Sequence, residues 1–408
     1  MASDLLHTSS THQIRHEECA EPKRLPLLDV LRGVAILGTL ATNIWIFTFP
    51  GGEWGFLNDP HSMAPLAGEG SSIGEVIEAG FRFLANGKSL ALLTILFGVG
   101  LAIQYRSAQR HGQSWPGRYP RRAALLFVEG SLHFVLIFGF DVLMGYAVTA
   151  LLVAWLLSRS QRVQKVVMWT AGGLHLTLMS LLALTLVTAP EEATSGTPQP
   201  VNTDQGYLEQ VGYRLDNLLV FRLEPIITFG MLVFLFLLGV RLFRAGAFDD
   251  DERGRRLRRR MLWWGLGVGL PLNALTTMAG PDLFTVDRYV VPPLVALGLI
   301  GLIGTVMDRV RRPGPLTRGL TSVGRTALSC YVTQNLVCLL VCSSFGLGFA
   351  VRFADVRPWA TLGLWVAVCV TMLGAATLWL RRFSYGPLET AQRWVLAHWP
   401  ERRRTRTA

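Results

Sequence analysis

Long apolar blocks separated by short polar segments dominate the chain. Each block is about 20 residues long, which is what a helix needs to cross roughly 30 Å of hydrocarbon, and few of them carry the polar stripe of a soluble helix. The pattern predicts an all-α, polytopic integral membrane bundle of about ten transmembrane helices. The blocks run at residues 27–49, 76–104, 122–139, 141–158, 163–188, 226–243, 261–280, 289–307, 320–343 and 358–380.

Positive charge gives this predicted bundle an orientation. Of the 39 Lys and Arg residues, 30 fall in one alternating set of polar segments and five in the intervening set. Because Lys and Arg concentrate in cytoplasmic loops, this distribution predicts that both termini lie in the cytoplasm. Residues 1–23 lack the apolar core of a cleavable signal peptide, so the first block is predicted to be a retained span.

Composition agrees with a bilayer as the main solvent. Half of the residues are hydrophobic and 16% are charged, against about a quarter charged in soluble domains. The net charge of +11 does not indicate nucleic acid, because the basic residues punctuate the apolar blocks instead of forming one surface. The five cysteines, of which Cys19 alone lies in a polar segment, show no metal-ligand spacing. We therefore expect no metal and no tightly bound cofactor.

The chain divides into two apolar halves with polar segments around them. We predict a cytoplasmic tail at 1–26, an N-terminal transmembrane half at 27–188, an extracytoplasmic loop at 189–225, a C-terminal transmembrane half at 226–380 and a basic cytoplasmic tail at 381–408.

The first apolar block contains three polar residues that should lie on related faces of one helix. Asp29 and Arg32 are three residues apart and can pair locally. Asn43 follows eleven residues after Arg32, about 20° away around the helix. Ionisable groups inside a span are costly, which makes these residues candidates for substrate binding. The alternative is an interfacial ion pair that fixes the end of the helix.

The third block supplies the candidate catalytic residues. Glu129 and His133 are four residues apart, and a carboxylate beside an imidazole raises the basicity that a general base requires. Asp141 follows at the turn after this block. The alternative for these groups is a hydrogen bond that joins membrane helices.

Two other places carry weaker signals. Lys88 follows a break at Asn86-Gly87 in the second block, and such a break is tolerated where it lines a cavity or is covered by protein. Lys88 could then bind an anionic group such as a phosphate. Tyr331, Gln334 and Asn335 lie together in the ninth block, where they could line a cavity or join helices.

Five stretches resemble the YeiB-like bacterial membrane proteins, catalogued as domain of unknown function 418. In chain order they are LLDVLRGVAILGTLATNIWIF, NGKSLALLTILFGVG, RRAALLFVEGSLHFVLIFGFDVLMGYA, GRTALSCYVTQN and FSYGPLETAQRWV. The N-terminal half of this family resembles the transmembrane acyltransferases, which include the lysosomal heparan glucosaminide acetyltransferase.

The resemblance implies an activity and a set of residues. Members of the acyltransferase group move an acyl group from a cytoplasmic coenzyme A thioester to an acceptor on or beyond the far face. The motif positions that matter here are Asp29, Arg32, Asn43, Lys88, His133, Asp141, Arg325, Tyr331 and Gln334. The family's Gly-Asp pair at the outer turn is Phe140-Asp141 in this chain, and His61 lies in the loop that carries a histidine in the heparan enzyme.

Two functions follow as hypotheses. The first is a membrane-embedded transferase with acyl-coenzyme A as co-substrate, in which His133, oriented by Glu129, acts as base and Asp29, Arg32 and Lys88 organise the donor. The second is a proton-coupled transporter or exporter of a small or amphiphilic metabolite, in which Glu129, His133 and Asp141 carry protons. Either protein would lie in a bacterial cytoplasmic (inner) membrane, with a small-molecule or lipid-linked substrate, and a homo-oligomer stays open.

Overall fold

Helices build the whole of the described chain. The computed structural model describes residues 26–58, 71–188 and 206–399, and within these ranges every regular element is a helix. His61 and Cys19 lie outside the described residues. The first seven helices are α1 (Pro26–Phe47), α2 (Gly52–Asn58), α3 (Ile73–Ala85), α4 (Lys88–Arg110), α5 (Tyr119–Leu136), α6 (Leu143–Leu157) and α7 (Gln161–Thr188).

The C-terminal half is more broken. Its helices are α8 (Tyr207–Asp216), α9 (Leu218–Ile227), α10 (Phe229–Arg244), α11 (Glu252–Leu262), α12 (Leu270–Met278), α13 (Phe284–Tyr289), α14 (Pro292–Arg309), α15 (Pro315–Arg325), α16 (Ala327–Cys342), α17 (Phe349–Arg352), α18 (Arg357–Arg382) and α19 (Pro387–His398). A π-helical turn at Trp263–Gly269 joins α11 to α12, and 3₁₀ turns at Pro281–Leu283 and Ala354–Val356 precede α13 and α18.

Local sequence signals explain several helix ends. Ser72 and Glu75 form a reciprocal capping box at the start of α3. α14, α15 and α19 begin with proline, whose fixed φ suits the first helical turn. The predicted break in the second block is confirmed, because α3 ends and α4 begins on either side of Asn86-Gly87. Gly87 has a φ of 69°, and a Cβ there would lie 2.5 Å from the carbonyl oxygen of Arg288.

Within the described ranges, five helices are long and apolar enough to cross a membrane, and two bent helix pairs raise the number to seven if each pair is one span. The five are Pro26–Phe47, Ile73–Arg110, Gln161–Thr188, Pro292–Arg309 and Ala354–Arg382, and the pairs are α9 with α10, bent by 46°, and α15 with α16, bent by 95°. Large apolar residues are exposed along α7, for example Leu174 at 67% and Val166 at 64%. A contiguous apolar surface of this kind is typical of a helix that faces lipid.

All ten predicted apolar blocks fall on helical structure, but three of them are not counted among these candidates. α6 has 15 residues and is about 22 Å long, shorter than the hydrocarbon core. α5 carries Arg121, Arg122 and Glu129 within its 18 residues. The block at 261–280 is split between the π-helical turn and α12. The number ten therefore stays a prediction.

Two predicted segments contain structure that the sequence pattern does not specify. The predicted extracytoplasmic segment 189–225 contains α8 and most of α9, where Arg214 donates to the carbonyl oxygen of Val135 and Arg222 to that of Asp141. The predicted ninth span at 320–343 is not straight, since α15 runs almost at a right angle to α16.

The two halves share one core. α1 packs along α15, α4 and α16, while α4 also packs along α10 and α14. The buried apolar cluster accordingly extends from Leu27 to Ala376. This packing brings the end of α5 against α16, which is where the polar groups of the interior meet.

Candidate functional site

His133, in the last turn of α5, faces Asp141 from the start of α6. Nδ1 of His133 lies 3.0 Å from Oδ1 of Asp141, and the side chains are 2% and 0% exposed. The contact is electrostatic, because neither atom has a hydrogen-bond partner of acceptable alignment among the described residues. Buried polar atoms without such partners are costly, so this pair is a candidate functional site.

The other face of the imidazole is held by two asparagines. Nδ2 of Asn335 lies 3.2 Å from Nε2 of His133, and Nδ2 of Asn43 donates to Oδ1 of Asn335 at 3.3 Å. Since an amide nitrogen can only donate, Nε2 is the acceptor in this contact and Nδ1 faces Asp141. α1, α16 and α5 thus fix the orientation of the imidazole ring.

The turn that carries Asp141 is fixed by an arginine from α9. Nη1 of Arg222 donates to the Asp141 carbonyl oxygen at 3.1 Å, and Nη2 donates to the carbonyl oxygen of Gly139. The guanidinium carbon also lies 4.1 Å from the ring centroid of Phe134. Oδ2 of Asp141 accepts a hydrogen bond from the Met144 amide at 3.2 Å, at the start of α6. Hydrogen bonds from Arg222 and from the Met144 amide therefore fix both the main chain and the carboxylate of Asp141.

Tyr331 joins the histidine to a large cavity. The rings of Tyr331 and His133 are 5.0 Å apart between centroids and inclined at 34°. Tyr331 also lines a cavity of about 500 Å³ that we name the Arg32 cavity. His133 itself does not line it. The neighbouring Gln334 donates to the carbonyl oxygen of Ile36 at 3.2 Å, so its role is to join α16 to α1.

Four arginines line the Arg32 cavity together with an apolar interior. They come from four different helices, α1, α5, α15 and α19, and are Arg32, Arg122, Arg325 and Arg393. The opposite lining is apolar and includes Leu93, Leu96 and Phe97 of α4. Asp29 pairs with Arg32 at 3.3 Å, which is the local ion pair that the spacing predicts. A cavity with cationic and apolar walls can hold an anionic molecule with an apolar part.

Helix α19 covers one side of the Arg32 cavity. Glu389 accepts hydrogen bonds from the backbone amides of Leu328 at 2.9 Å and Ser329 at 3.3 Å, and from the Ser329 hydroxyl at 2.5 Å. These bonds cap the free N–H groups at the start of α16. Gln392 donates to Glu129 at 2.5 Å. Glu389 and Gln392 both line the cavity.

Glu129 does not orient His133 as expected. Its carboxylate accepts from Gln392 of α19, whereas Asp141 occupies the position beside Nδ1 of His133. The spacing of four residues does place both side chains on one side of α5, but side chains one turn apart can have different partners. The candidate site therefore combines His133 with Asp141.

Lys88 lies apart from the Arg32 cavity. It is 3% exposed, and Nζ donates to the carbonyl oxygens of Phe83 and, at 3.4 Å, of Asn86. Phe83 lies in the last turn of α3 and Asn86 in the break after it, so Lys88 joins α3 to the break that the sequence predicted. Among the described residues, no group of three or more His, Cys, Asp or Glu could hold a metal ion.

One protein family and two bacterial proteins are similar to this chain. Residues 242–398 match the family described as "Protein of unknown function (DUF418)". The chain is 25% identical over 391 residues to the uncharacterized protein YxaH of Bacillus subtilis (strain 168), covering 90% of this chain and 92% of that one. It is 27% identical over 380 residues to the uncharacterized protein YeiB of Escherichia coli (strain K12), covering 89% of this chain and 93% of that one.

These matches agree with the resemblance to YeiB-like DUF418 proteins, since residues 242–398 match that family and both relatives are similar over about nine tenths of this chain. The family match includes Arg325, Tyr331 and Asn335 as well as the whole of α19, whereas His133 and Asp141 precede it. The names of the relatives give no reaction, so the acyltransferase relation stays a prediction.

Sequence reasoning missed four groups in this site. Glu389 and Gln392 lie in a C-terminal helix whose polar residues resemble an ordinary solvated face. Asn335 was noted only as part of a polar cluster with Tyr331. Arg222 was counted as a loop charge, although its apolar neighbours in LLVFRLEPII were a signal that it is buried.

Proposed function

We propose that this protein transfers an acyl or related group from an anionic donor, with His133 as the general base. The observation that carries the proposal is the Arg32 cavity, which runs from four arginines to Tyr331, whose ring packs against the buried His133–Asp141 pair. Positioned acids and bases contribute about 10²- to 10⁴-fold to such reactions.

The donor in this proposal is a coenzyme A thioester. Its phosphates would bind the arginines, because guanidinium groups donate to phosphate in two parallel hydrogen bonds. Its thioester would lie at the apolar end beside Tyr331. Because His133 is enclosed and its Nε2 accepts from Asn335, the side chains of Tyr331 and Asn335 must both move before the hydroxyl or amine of the acceptor can reach Nε2.

The proposed acyl transfer includes two proton transfers, one to His133 and one from it. A hydroxyl or amine of the acceptor attacks the thioester carbonyl while its proton passes to Nε2 of His133. The carbon–sulfur bond then breaks, and the leaving thiolate takes that proton back. Asp141 stabilises the imidazolium that exists between these transfers, because its carboxylate lies 3.0 Å from Nδ1.

The proposal includes a topology of about ten spans with both termini in the cytoplasm, in the inner membrane of a bacterium. In this orientation the Arg32 cavity opens toward the cytoplasm, since its arginines adjoin the segments richest in Lys and Arg. That is the side on which coenzyme A thioesters are made.

The test is transfer of label from radioactive acetyl-coenzyme A to a panel of membrane and cell-wall acceptors by the protein purified into lipid. We expect His133→Gln to lower the transfer rate at least about 100-fold, with thermal unfolding unchanged within a few degrees. The control is His111→Gln, since His111 is exposed and bonds within its own helix. Absence of both label transfer and donor binding would sink the proposal. Activity that survives in His133→Gln but not in His61→Ala would move the base to the outer loop.

A second function is favoured by a different observation. Asp141 lines a small cavity of about 30 Å³, and its neighbour Val142 lines both this small cavity and the Arg32 cavity. Such an arrangement also suits a proton-coupled transporter. Proteoliposomes decide between the two: proton uptake driven by a metabolite gradient without any acyl donor, and lost in Asp141→Asn, would favour transport.

A further inference from the structure

A second large cavity lies next to the small cavity that Asp141 lines. It has a volume of about 310 Å³ and is lined by residues of α1, α3, α9 and α13, and we name it the Arg288 cavity. Aromatic rings form much of its wall, among them Trp45, Phe83, Phe221 and Phe284. Apolar walls with a few polar groups are typical of a binding site for a small organic molecule.

The cavity opens among side chains that face the apolar surface. Val220 and Leu223 of α9 line it and are 50% and 55% exposed, and Leu219 beside them is 79% exposed. α9 belongs to a helix pair that is apolar enough to span a membrane. A molecule with a hydrocarbon tail can therefore reach the cavity from the bilayer.

The cationic groups of the cavity are already engaged. Nη1 of Arg288 donates to Oδ1 of Asn86 at 2.6 Å, Nη2 donates to Oε1 of Glu224 at 3.0 Å, and Nε donates to the Tyr289 hydroxyl at 3.0 Å. Arg82 pairs with Glu78 at 3.2 Å. An anionic head group would have to displace these protein carboxylates and amides, which makes an anion a poor ligand.

The carboxylates, in contrast, retain acceptor capacity. Glu224 receives its hydrogen bonds from Arg288 and Tyr289 on Oε1, and no described residue donates to its Oε2. The side chain of Asp287 accepts from Asn273, Thr276 and Thr277, always on Oδ1. Both residues line the cavity. The second oxygen of each can therefore accept a hydrogen bond from a ligand, and the ligand must supply the donor.

The Arg288 cavity also adjoins the candidate site. The small cavity that Asp141 lines shares Phe140, Phe221 and the Glu224–Tyr289 contact with it. A ligand head group near Glu224 would thus lie beside the small cavity that Asp141 lines.

We propose that the Arg288 cavity binds an amphiphile with a hydrocarbon tail and an uncharged or cationic head group of hydroxyl or amino donors, held by Glu224 and Asp287. A glycolipid and a long-chain amine share this chemistry. The binding stands independently of catalysis and of the proposed function.

The probe is an alkyl glucoside with a photoreactive diazirine in its chain, offered to the full chain in phosphatidylcholine nanodiscs without any acyl donor. We expect saturable labelling of residues on α1, α3, α9 or α13. Octyl glucoside and dodecylamine should compete, and dodecyl phosphate should not.

Two variants and a matched control test the site itself. Ala79→Phe fills the cavity from α3 and should abolish saturable labelling, whereas Val76→Phe changes an exposed residue of the same helix outside the cavity and should leave labelling unchanged. Asp287→Asn should weaken competition by dodecylamine roughly tenfold, the factor expected for one charge-assisted hydrogen bond.

Specific outcomes overturn the inference. Labelling that persists in Ala79→Phe, or that dodecyl phosphate suppresses better than octyl glucoside, contradicts it. Absence of labelling from a protein that still transfers an acyl group would sink this inference alone. Labelling by a protein that shows neither label transfer nor donor binding would leave it standing and sink the proposed function.

Discussion

Single glycines set the distance between the central helices. A Cβ on Gly98 of α4 would lie 2.0 Å from the carbonyl oxygen of Phe236 in α10, and one on Gly239 of α10 would lie 2.1 Å from that of Ile95. Small residues at both sides of a crossing allow membrane helices to approach closely. The close contact is with backbone, so no rotamer change can relieve it.

Gly98→Ala should accordingly destabilise the protein by about 1–3 kcal/mol, the usual cost of overpacking. Thermal unfolding in detergent should occur several degrees lower than in the parent protein. Gly80→Ala is the matched control, because no atom lies within 4 Å of a Cβ there. An equal shift in both variants would contradict the account of the crossing.

A buried ion pair joins α2 to α8. Arg214 is 2% exposed, and its Nε lies 3.0 Å from Oε2 of Glu53. Removing one partner of a buried pair leaves an uncompensated charge and costs about 3–5 kcal/mol. Glu53→Ala should therefore lower the unfolding temperature strongly, whereas Glu252→Ala, which removes an exposed contact of 3.8 Å to Arg256, should change the free energy of unfolding by less than about 1 kcal/mol. Calorimetry of both variants is the measurement.

The candidate site also shows what the sequence can and cannot predict about single residues. The sequence singles out His133 and Asp141 as polar residues, since His133 lies inside the third apolar block and Asp141 at the start of the fourth. Their contact was not predictable, because α5 ends between them and helical periodicity does not continue through the turn. Glu129 was preferred for its spacing of four, and its actual partner Gln392 is 263 positions away.

At the scale of elements, α19 is attached to the bundle chiefly through one carboxylate. Glu389 accepts from two backbone amides and one hydroxyl at the start of α16. Charged acceptors make hydrogen bonds roughly twice as strong as neutral ones. The attachment also decides how the Arg32 cavity is covered, since four residues of α19 line it.

Glu389→Gln should loosen α19 without unfolding the bundle. We expect amide hydrogen exchange of residues 387–398 to become at least about tenfold faster, which corresponds to roughly 1.4 kcal/mol of lost local stability. His398→Ala serves as the control, because His398 bonds only within its own helix and is exposed. Unchanged exchange in Glu389→Gln would show that apolar contacts hold the helix.

The elements themselves were largely predictable, and their bends were not. Every apolar block is helical, since block length and hydrophobicity are properties of the sequence alone. The bend of 95° between α15 and α16 arises from distant partners. A Cβ on Gly324 would lie 1.8 Å from the carbonyl oxygen of Asp29, and Glu389 caps the start of α16. Neither contact leaves a local sequence signal.

For the whole molecule, the number of spans decides on which side each terminus lies. An even number places both termini on one side of the membrane, and an odd number places them on opposite sides. In the part of the chain that the structure describes, the helices that meet the length and apolarity of a span number five, or seven with the two bent pairs, and both numbers are odd. The predicted ten is even, and it requires α5, α6 and the segment around α12 to cross as well.

Fusion of a fluorescent protein that matures only in the cytoplasm, made separately at each terminus, therefore tests the count. We expect fluorescence from both fusions, because Lys and Arg concentrate in segments that share the side of both termini. Hydrogen bonds lower the free-energy cost of placing the charged residues of α5 in a membrane, because Glu129 accepts from Gln392 and Arg122 donates to Gln104 at 2.6 Å. We therefore expect α5 to cross. A third fusion within residues 158–160, between α6 and α7, should also fluoresce if α5 and α6 cross as a hairpin. Fluorescence from only one terminus would reject ten spans, and with it the assignment of the Arg32 cavity to the cytoplasmic side.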